Sequence, residues 1–273
     1  MVPEGDRDRP DHVYSRDGDL WVPSPIAAGP WDPGAQHGGP PAALFGRLIR
    51  DHEPGDTRWF LARLTVELVR PVPLTPLVVE LEVVRPGARV QLIDARMTAA
   101  GTEVARARGL RLAETGAGPD ETEVPVPPPL DVPKPSSVPR WHLKFDGISW
   151  PTFGEAIDLR PVKGQPFVEL GAAAVWFRLE VPLLAGEPID PLDRVLTAAD
   201  FPNGISNVVP IHRFVYINPD LTVHLHRLPA DEWVLLDAQS WLRRAGHGQS
   251  RAGIHDEEGA LGTALQSLLV WER

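Results

Sequence analysis

The 273-residue chain contains no cysteine. Disulfides, thiolate metal sites and a cysteine nucleophile are thereby excluded, and a reducing, cytoplasmic setting is expected. Long apolar runs are lacking too. No stretch approaches the roughly 18 apolar residues of a membrane span, and Met1 to Leu20 carry no apolar signal region, so a soluble protein without a membrane partner is expected. Positive charge is in deficit, 27 Lys and Arg against 37 Asp and Glu for a net charge of −10, which argues against a nucleic-acid partner. A small anion held by a few local arginines stays open. Gly-x-Ser-x-Gly is absent, which removes the nucleophile elbow of an α/β-hydrolase. Gly246-His247-Gly248 lacks the third glycine and the following helix of a dinucleotide fingerprint and reads as a turn. His224 and His226 alternate on a strand without a third ligand at a suitable spacing, so neither metal nor cofactor is expected.

Proline, by contrast, is abundant, and it is densest between Pro119 and Pro139. There Pro125, Pro127, Pro128, Pro129, Pro133 and Pro135 stand among Asp120, Glu121 and Glu123. Such a segment is stiff, extended and solvated and cannot enter a sheet interior, so it divides the chain. The expected organisation is a unit over residues 1–113, a linker over 114–140 and a second unit over 141–273.

The two units repeat each other. Leu64-Thr65-Val66-Glu67-Leu68 alternates apolar and polar residues as a half-buried strand does, and Leu221-Thr222-Val223-His224-Leu225 follows about 157 positions later. Strand-like runs over 77–84, 89–98 and 103–112, with a turn at Gly101, are matched by runs over 233–241, 248–255 and 261–271, with a turn at Gly259. Each unit also places a helix upstream of these strands. Pro40 and Pro41 open the first, with Ala42, Ala43, Leu44, Phe45, Leu48 and Ile49 as its apolar face and Pro54-Gly55 as its stop. Asp190 caps the second, Pro191 begins it, and Leu192, Val195, Leu196 and Ala199 form its stripe. Strand, helix and meander, twice over, predict an α+β fold with a helix wrapped by an antiparallel sheet in each unit.

With these features in order, the sequence resembles the acyl-CoA thioesterase II (TesB-like) double hotdog family. The resemblance rests on His226-Arg227, Glu232-Trp233, Gly246 to Gly248, Asp256 with Gly259, and Gln266 in the second unit, and on Gly38-Gly39, Arg70-Pro71 and Arg85-Pro86-Gly87 in the first. It implies a thioesterase acting on acyl-CoA, with a water held by three side chains. Carried over, these are Asp200, Gln266 and, where the family has Ser or Thr, Asn218, with Thr222 as the nearest hydroxyl. On one continuous strand Asn218, Asp220 and Thr222 would share a face.

The chemistry fits those residue types. Thioester hydrolysis needs an activated water and donors for the developing oxyanion, and no covalent intermediate is required. Asp200 lies on the apolar stripe near a helix C-terminus, where burial and the dipole both raise its pKa; it can equally just end the helix before Pro202-Asn203-Gly204. Gln266 stands in an apolar run, so its amide must find partners, catalytic or structural. The repeat sets Leu61 opposite Asn218, and an alignment adjusted across the two glycine turns sets Arg108 opposite Gln266, giving one active site per chain. His37-Gly38-Gly39 reads either as a substrate-binding helix start, whose N–H groups face a carbonyl or phosphate, or as a tight entry turn. Two other readings remain: a hydratase or dehydratase using His37 or His212, and a non-catalytic acyl-CoA-binding module. Open sheet edges lead us to expect a homodimer or higher homo-oligomer.

Overall fold

The proline pair that opens the first helix does so in the structure, a computed structural model that describes residues 10–53, 55–116, 118–119, 124–125, 128–143 and 147–273. Pro54, and Asp120, Glu121, Glu123 and Pro127 of the proline-rich segment, lie outside the described residues. Helix α1 spans Gly39–Asp51 with Pro40 and Pro41 in its first turn, where a missing N–H has no intrahelical partner to lose. Helix α2 spans Pro191–Ala198, and the Asp190 carboxylate accepts from the Leu192 amide at 2.8 Å as the N-cap. A long helix in each unit is expected, yet the second stops after eight residues and resumes only as the short α3, Pro202–Ile205. Pro202 has no N–H for the carbonyl of Ala198, so the ladder breaks there and the chain turns through Ala199 and Asp200.

Among the described residues, thirteen strands form one antiparallel sheet. In chain order they are β1 (Tyr14–Asp17), β2 (Leu20–Pro23), β3 (Trp59–Leu68), β4 (Leu77–Pro86), β5 (Val90–Ala99), β6 (Thr102–Ala113), β7 (Ile157–Lys163), β8 (Ala173–Leu179), β9 (Phe214–Ile217), β10 (Asp220–Leu225), β11 (Val234–Leu242), β12 (His247–Asp256) and β13 (Gly259–Glu272). The spatial order is β1-β2-β4-β5-β6-β3-β10-β13-β12-β11-β8-β7, with β9 added to β13. Read outward from its centre, each half repeats the other.

The repeated Leu-Thr-Val strands are the two that meet. In β3–β10, Thr65 lies directly opposite Thr222, flanked by Leu64 opposite Val223 and Val66 opposite Leu221. Thr65 and Thr222 are separated by 157 positions, the repeat offset itself, so a pseudo-two-fold axis passes between them. On the neighbouring strands Thr65 pairs with Arg108 and Thr222 with Leu265. Gly109, therefore, and not Arg108, is the counterpart of Gln266. Arg108 points outward to Asp94, at 2.6 Å.

The pseudo-two-fold runs α1 and α2 antiparallel, so the start of each lies near the end of the other. Arg50 and Arg47, near the end of α1, reach Asp190 and the fully buried Asp193 at the start of α2, each at 2.8 Å. Where the helices cross, a Cβ on Gly46 would fall 2.1 Å from Leu196 Cδ1, so the glycine makes room for the Leu196 side chain as it lies. One apolar core runs through both halves, from Leu44, Phe45 and Leu64 to Leu196, Val223 and Ala264. The described end of the proline-rich segment is not simply solvated: Trp176 Nε1 donates to Pro133 O at 2.9 Å and Arg160 Nη1 to Pro135 O at 2.6 Å, which lays it on the outer face of β7–β8. No helix among the described residues is long and apolar enough to cross a membrane.

Candidate active site

Asp200 sits in the break between α2 and α3 and is 4% exposed. A buried carboxylate needs partners, and the fold converges four elements on it. Asn218, from the bend between β9 and β10, donates through Nδ2 to Asp200 Oδ1 at 2.7 Å. Gln266 of β13 donates through Nε2 to the same oxygen at 3.1 Å and to the Asp200 carbonyl, also at 3.1 Å. The N–H groups of Gly38 and Gly39, at the start of α1, support the carboxylate as well. Burial nevertheless dominates these donors and pushes the Asp200 pKa up to about 7.

The glycines are dictated by proximity. A Cβ on Gly38 would stand 2.7 Å from Asp200 Oδ2, and one on Gly39 would stand 2.7 Å from the Thr197 carbonyl oxygen. His37, Gly38 and Gly39, read from the sequence as facing a substrate, thus face Asp200. His37 Nδ1 lies 3.1 Å from Asp200 Oδ2 and accepts from the Gly39 amide at 3.2 Å. A ring nitrogen that accepts from an amide carries no proton, so the proton in this contact belongs to Asp200. Burial agrees, since it lowers the His37 pKa to about 3. The pair is a neutral acid beside a neutral imidazole until Asp200 ionises. The imidazole stacks on Phe201, with ring centroids 4.4 Å apart, and tilts against Phe153 and Trp31. Trp31 is 61% exposed and forms the solvent side of this aromatic wall.

Two site expectations change. Thr222 does not join the cluster: it lies on the face of β10 away from buried Leu221 and Val223, and its hydroxyl meets Thr65 Oγ1 at 3.3 Å. Asn218, Asp220 and Thr222 do not share a face, because β9 ends at Ile217, β10 begins at Asp220, and the chain bends at Asn218-Pro219. Asp220 accepts instead from the Ser267 amide at 2.7 Å. Asn203 is the partner that sequence reasoning missed. Its backbone N–H donates to Gln266 Oε1 and its Nδ2 to Asn218 Oδ1, each at 3.2 Å, so it fixes both amides with their NH2 groups toward Asp200. The only signal for it was Pro202-Asn203-Gly204, which looks like any turn. His212 is exposed in a turn.

Arg227, Asp256 and Gly259, also part of the resemblance, serve the fold. Asp256 takes both terminal nitrogens of Arg227, at 2.6 and 2.5 Å, and the amides of Ala230, Glu258 and Gly259 at 2.9–3.0 Å. This fork ties the β10–β11 connection to the β12–β13 turn.

Comparison with known proteins fits this arrangement. A family model described as the acyl-CoA thioesterase C-terminal domain matches residues 125–270, more than half of the chain, and one described as the acyl-CoA thioesterase N-terminal domain matches residues 27–112. No curated protein matches. Among solved structures, a tesB protein of Mycobacterium avium subspecies paratuberculosis is 14% identical, with a TM-score of 0.65, over 94% of this chain and 95% of that one. An acyl-CoA thioesterase II, TesB2, of Mycobacterium marinum is 17% identical, with a TM-score of 0.59, over 94% of each chain. A protein with the hot dog fold from Alicyclobacillus acidocaldarius is 21% identical, with a TM-score of 0.67, over 96% of this chain and 97% of that one. At such identities the likeness shows the fold: two hotdog units on a large antiparallel sheet. The chain belongs to the acyl-CoA thioesterase family, and its reaction is hydrolysis of an acyl thioester.

Proposed function

We propose that Asp200 is the general base of an acyl-CoA thioesterase built on an α+β double hotdog, and that Asn218 and Gln266 hold the attacking water against it. The observation that carries this is the meeting of two amide NH2 groups on one oxygen of a buried carboxylate whose pKa lies near 7. A base with that pKa is half ionised at neutral pH, where general-base catalysis works best. The water oxygen bonds to the thioester carbonyl carbon, its proton passes to Asp200, and the carbonyl oxygen takes the electron pair. When the carbonyl re-forms, the C–S bond breaks and the departing thiolate takes up the proton held by Asp200, leaving free acid and CoA. His37, with its proton on Nε2, offers that N–H to the carbonyl oxygen, and substrate approaches past Trp31. Apolar side chains exposed on the outer face of the second half, among them Ile217, Trp241, Leu269 and Trp271, support a self-associating protein in solution.

Thiol release from acyl-CoAs of increasing chain length tests the assignment. Asp200→Ala and Gln266→Ala variants that stay folded are expected to lose about a hundredfold or more in kcat. Turnover that survives both changes would place the chemistry elsewhere.

A further inference from the structure

The pseudo-two-fold carries the Asp200 cluster onto a second place, where the end of α1 meets the start of α2. At the offset of 157 that relates Thr65 to Thr222, Asn218 corresponds to Leu61 and Gln266 to Gly109. Ile49, near the end of α1, fills the position facing them: a Cβ on Gly109 would lie 2.4 Å from Ile49 Cγ2 and 3.2 Å from Leu61 Cδ1. The polar trio of one end is thus an apolar contact at the other. None of Leu61, Gly109 and Ile49 carries a group that could activate water.

Beside that contact is a cavity of about 290 Å³. Its lining includes Leu61 itself, with Trp59, Leu192 and Leu228, and the guanidinium-bearing Arg50 and Arg58. Leu192 belongs to the first turn of α2 and Arg50 to the last of α1, so the cavity occupies, on this side of the axis, the junction of helix ends that Asp200 occupies on the other. Leu61 is both the counterpart of Asn218 and part of the wall.

We infer that this cavity is a second acyl-binding site, one that holds an acyl chain with an anionic head and does not hydrolyse it. The lining combines the apolar side chains of Leu61, Leu192 and Leu228 with two ion pairs, Arg50 with Asp51 and Arg58 with Glu114, and a volume near the lower end of the roughly 300–1,000 Å³ range of small-molecule pockets suits a chain of medium length. The head meets Arg58, an exposed side chain whose pair with Glu114 at 2.9 Å is of the solvent-screened kind that an incoming anion can exchange. Two molecules of the reaction share this chemistry, the acyl-CoA substrate and the free acid product. The inference rests on the family's acyl substrates and on the pseudo-two-fold, and it does not depend on which residue is the base.

Calorimetric titration of the full chain with decanoate and with S-decyl-CoA, a thioether that cannot be hydrolysed, decides the matter. Two binding events per chain are expected for at least one probe. Response to decanoate alone identifies the free acid, and response to S-decyl-CoA alone identifies the CoA ester. Thr57→Trp and Leu228→Trp, which fill the cavity, should leave one event, and Arg58→Glu, on a side chain whose change leaves the core untouched, should weaken the second event about tenfold or more. In all three variants kcat/KM for decanoyl-CoA should change no more than about twofold. One event per chain for both probes, or two events indifferent to Arg58→Glu and to whichever tryptophan variants fold, would overturn the inference. Thiol release by Asp200→Ala judges the catalytic assignment separately.

Discussion

At the scale of single residues, one proton explains much of the site. His37 and Asp200 are both neutral in the folded protein below about pH 7, so the carboxyl must ionise before it can act as a base. The expected pH profile of kcat/KM rises through about pH 7 with a single ionisation, and steady-state thiol release across pH 5–9 measures it. Stability carries the same signature. From about pH 4 to about 6.5 the folded pair and the unfolded pair each hold one proton, on Asp200 when folded and on His37 when unfolded, so the pair adds almost no slope there. Asp200→Ala leaves His37 alone, neutral when folded and protonated when unfolded. The unfolded state then binds the extra proton, and urea unfolding of that variant should show stability rising with pH across this window where the wild type is flatter. Asn203 acts through Asn218 and Gln266, so Asn203→Ala is expected to lower kcat by about tenfold and to move the pH at which kcat/KM rises, and the second change is one that a mere loss of folded enzyme, which also lowers kcat at constant KM, would not give.

Asp200, Asn218 and Gln266 were legible in the sequence because their order along the chain survives wherever the elements go. The His37–Asp200 contact was not, because it depends on the start of one helix meeting the end of another, 163 positions away. Thr222 was misplaced by an assumption of unbroken strand. Pro219, with no N–H to give a ladder, marks the bend that turns Asn218 inward and leaves Thr222 on the seam.

At the scale of elements, prolines and caps told where helices begin, and they did so through local chemistry that needs no partner. The end of α1 is held from a distance. Arg111, buried on β6, donates to the carbonyls of Arg50 and His52 at 3.0 and 2.5 Å and to Gln91 Oε1 at 2.8 Å, and lies 4.8 Å over the ring of Trp59. Arg111→Ala would orphan those carbonyls and is expected to cost about 2–3 kcal/mol in urea unfolding, against about 1 kcal/mol for removing the Asp190 cap. Strand β8 lacks the alternation that betrays a half-buried strand. One of its faces meets the core through Val175 and Phe177, while Ala174 and Trp176 on the other are packed with Val132 of the proline-rich segment.

At the scale of the whole molecule, the tandem repeat makes one sheet with unequal ends. The same offset that aligns Thr65 with Thr222 gives Gln266 on one side and Gly109 on the other, so one junction is polar and the other apolar. Because β3 and β10 share the seam and a single core spans both halves, the protein should unfold as one unit. Far-ultraviolet and near-ultraviolet circular dichroism are expected to give coincident urea transitions, and two separated transitions would show halves that fold independently.

In the proposed mechanism water attacks the thioester directly, activated by Asp200 and without an acyl-enzyme. Single-turnover hydrolysis of an acyl-CoA in H2-18O, with enzyme in excess, tests it most directly. Direct attack gives released acid with one 18O atom in every molecule. Unlabelled acid, its new oxygen drawn from a carboxylate of the protein, would reveal a mixed anhydride and rule out direct attack.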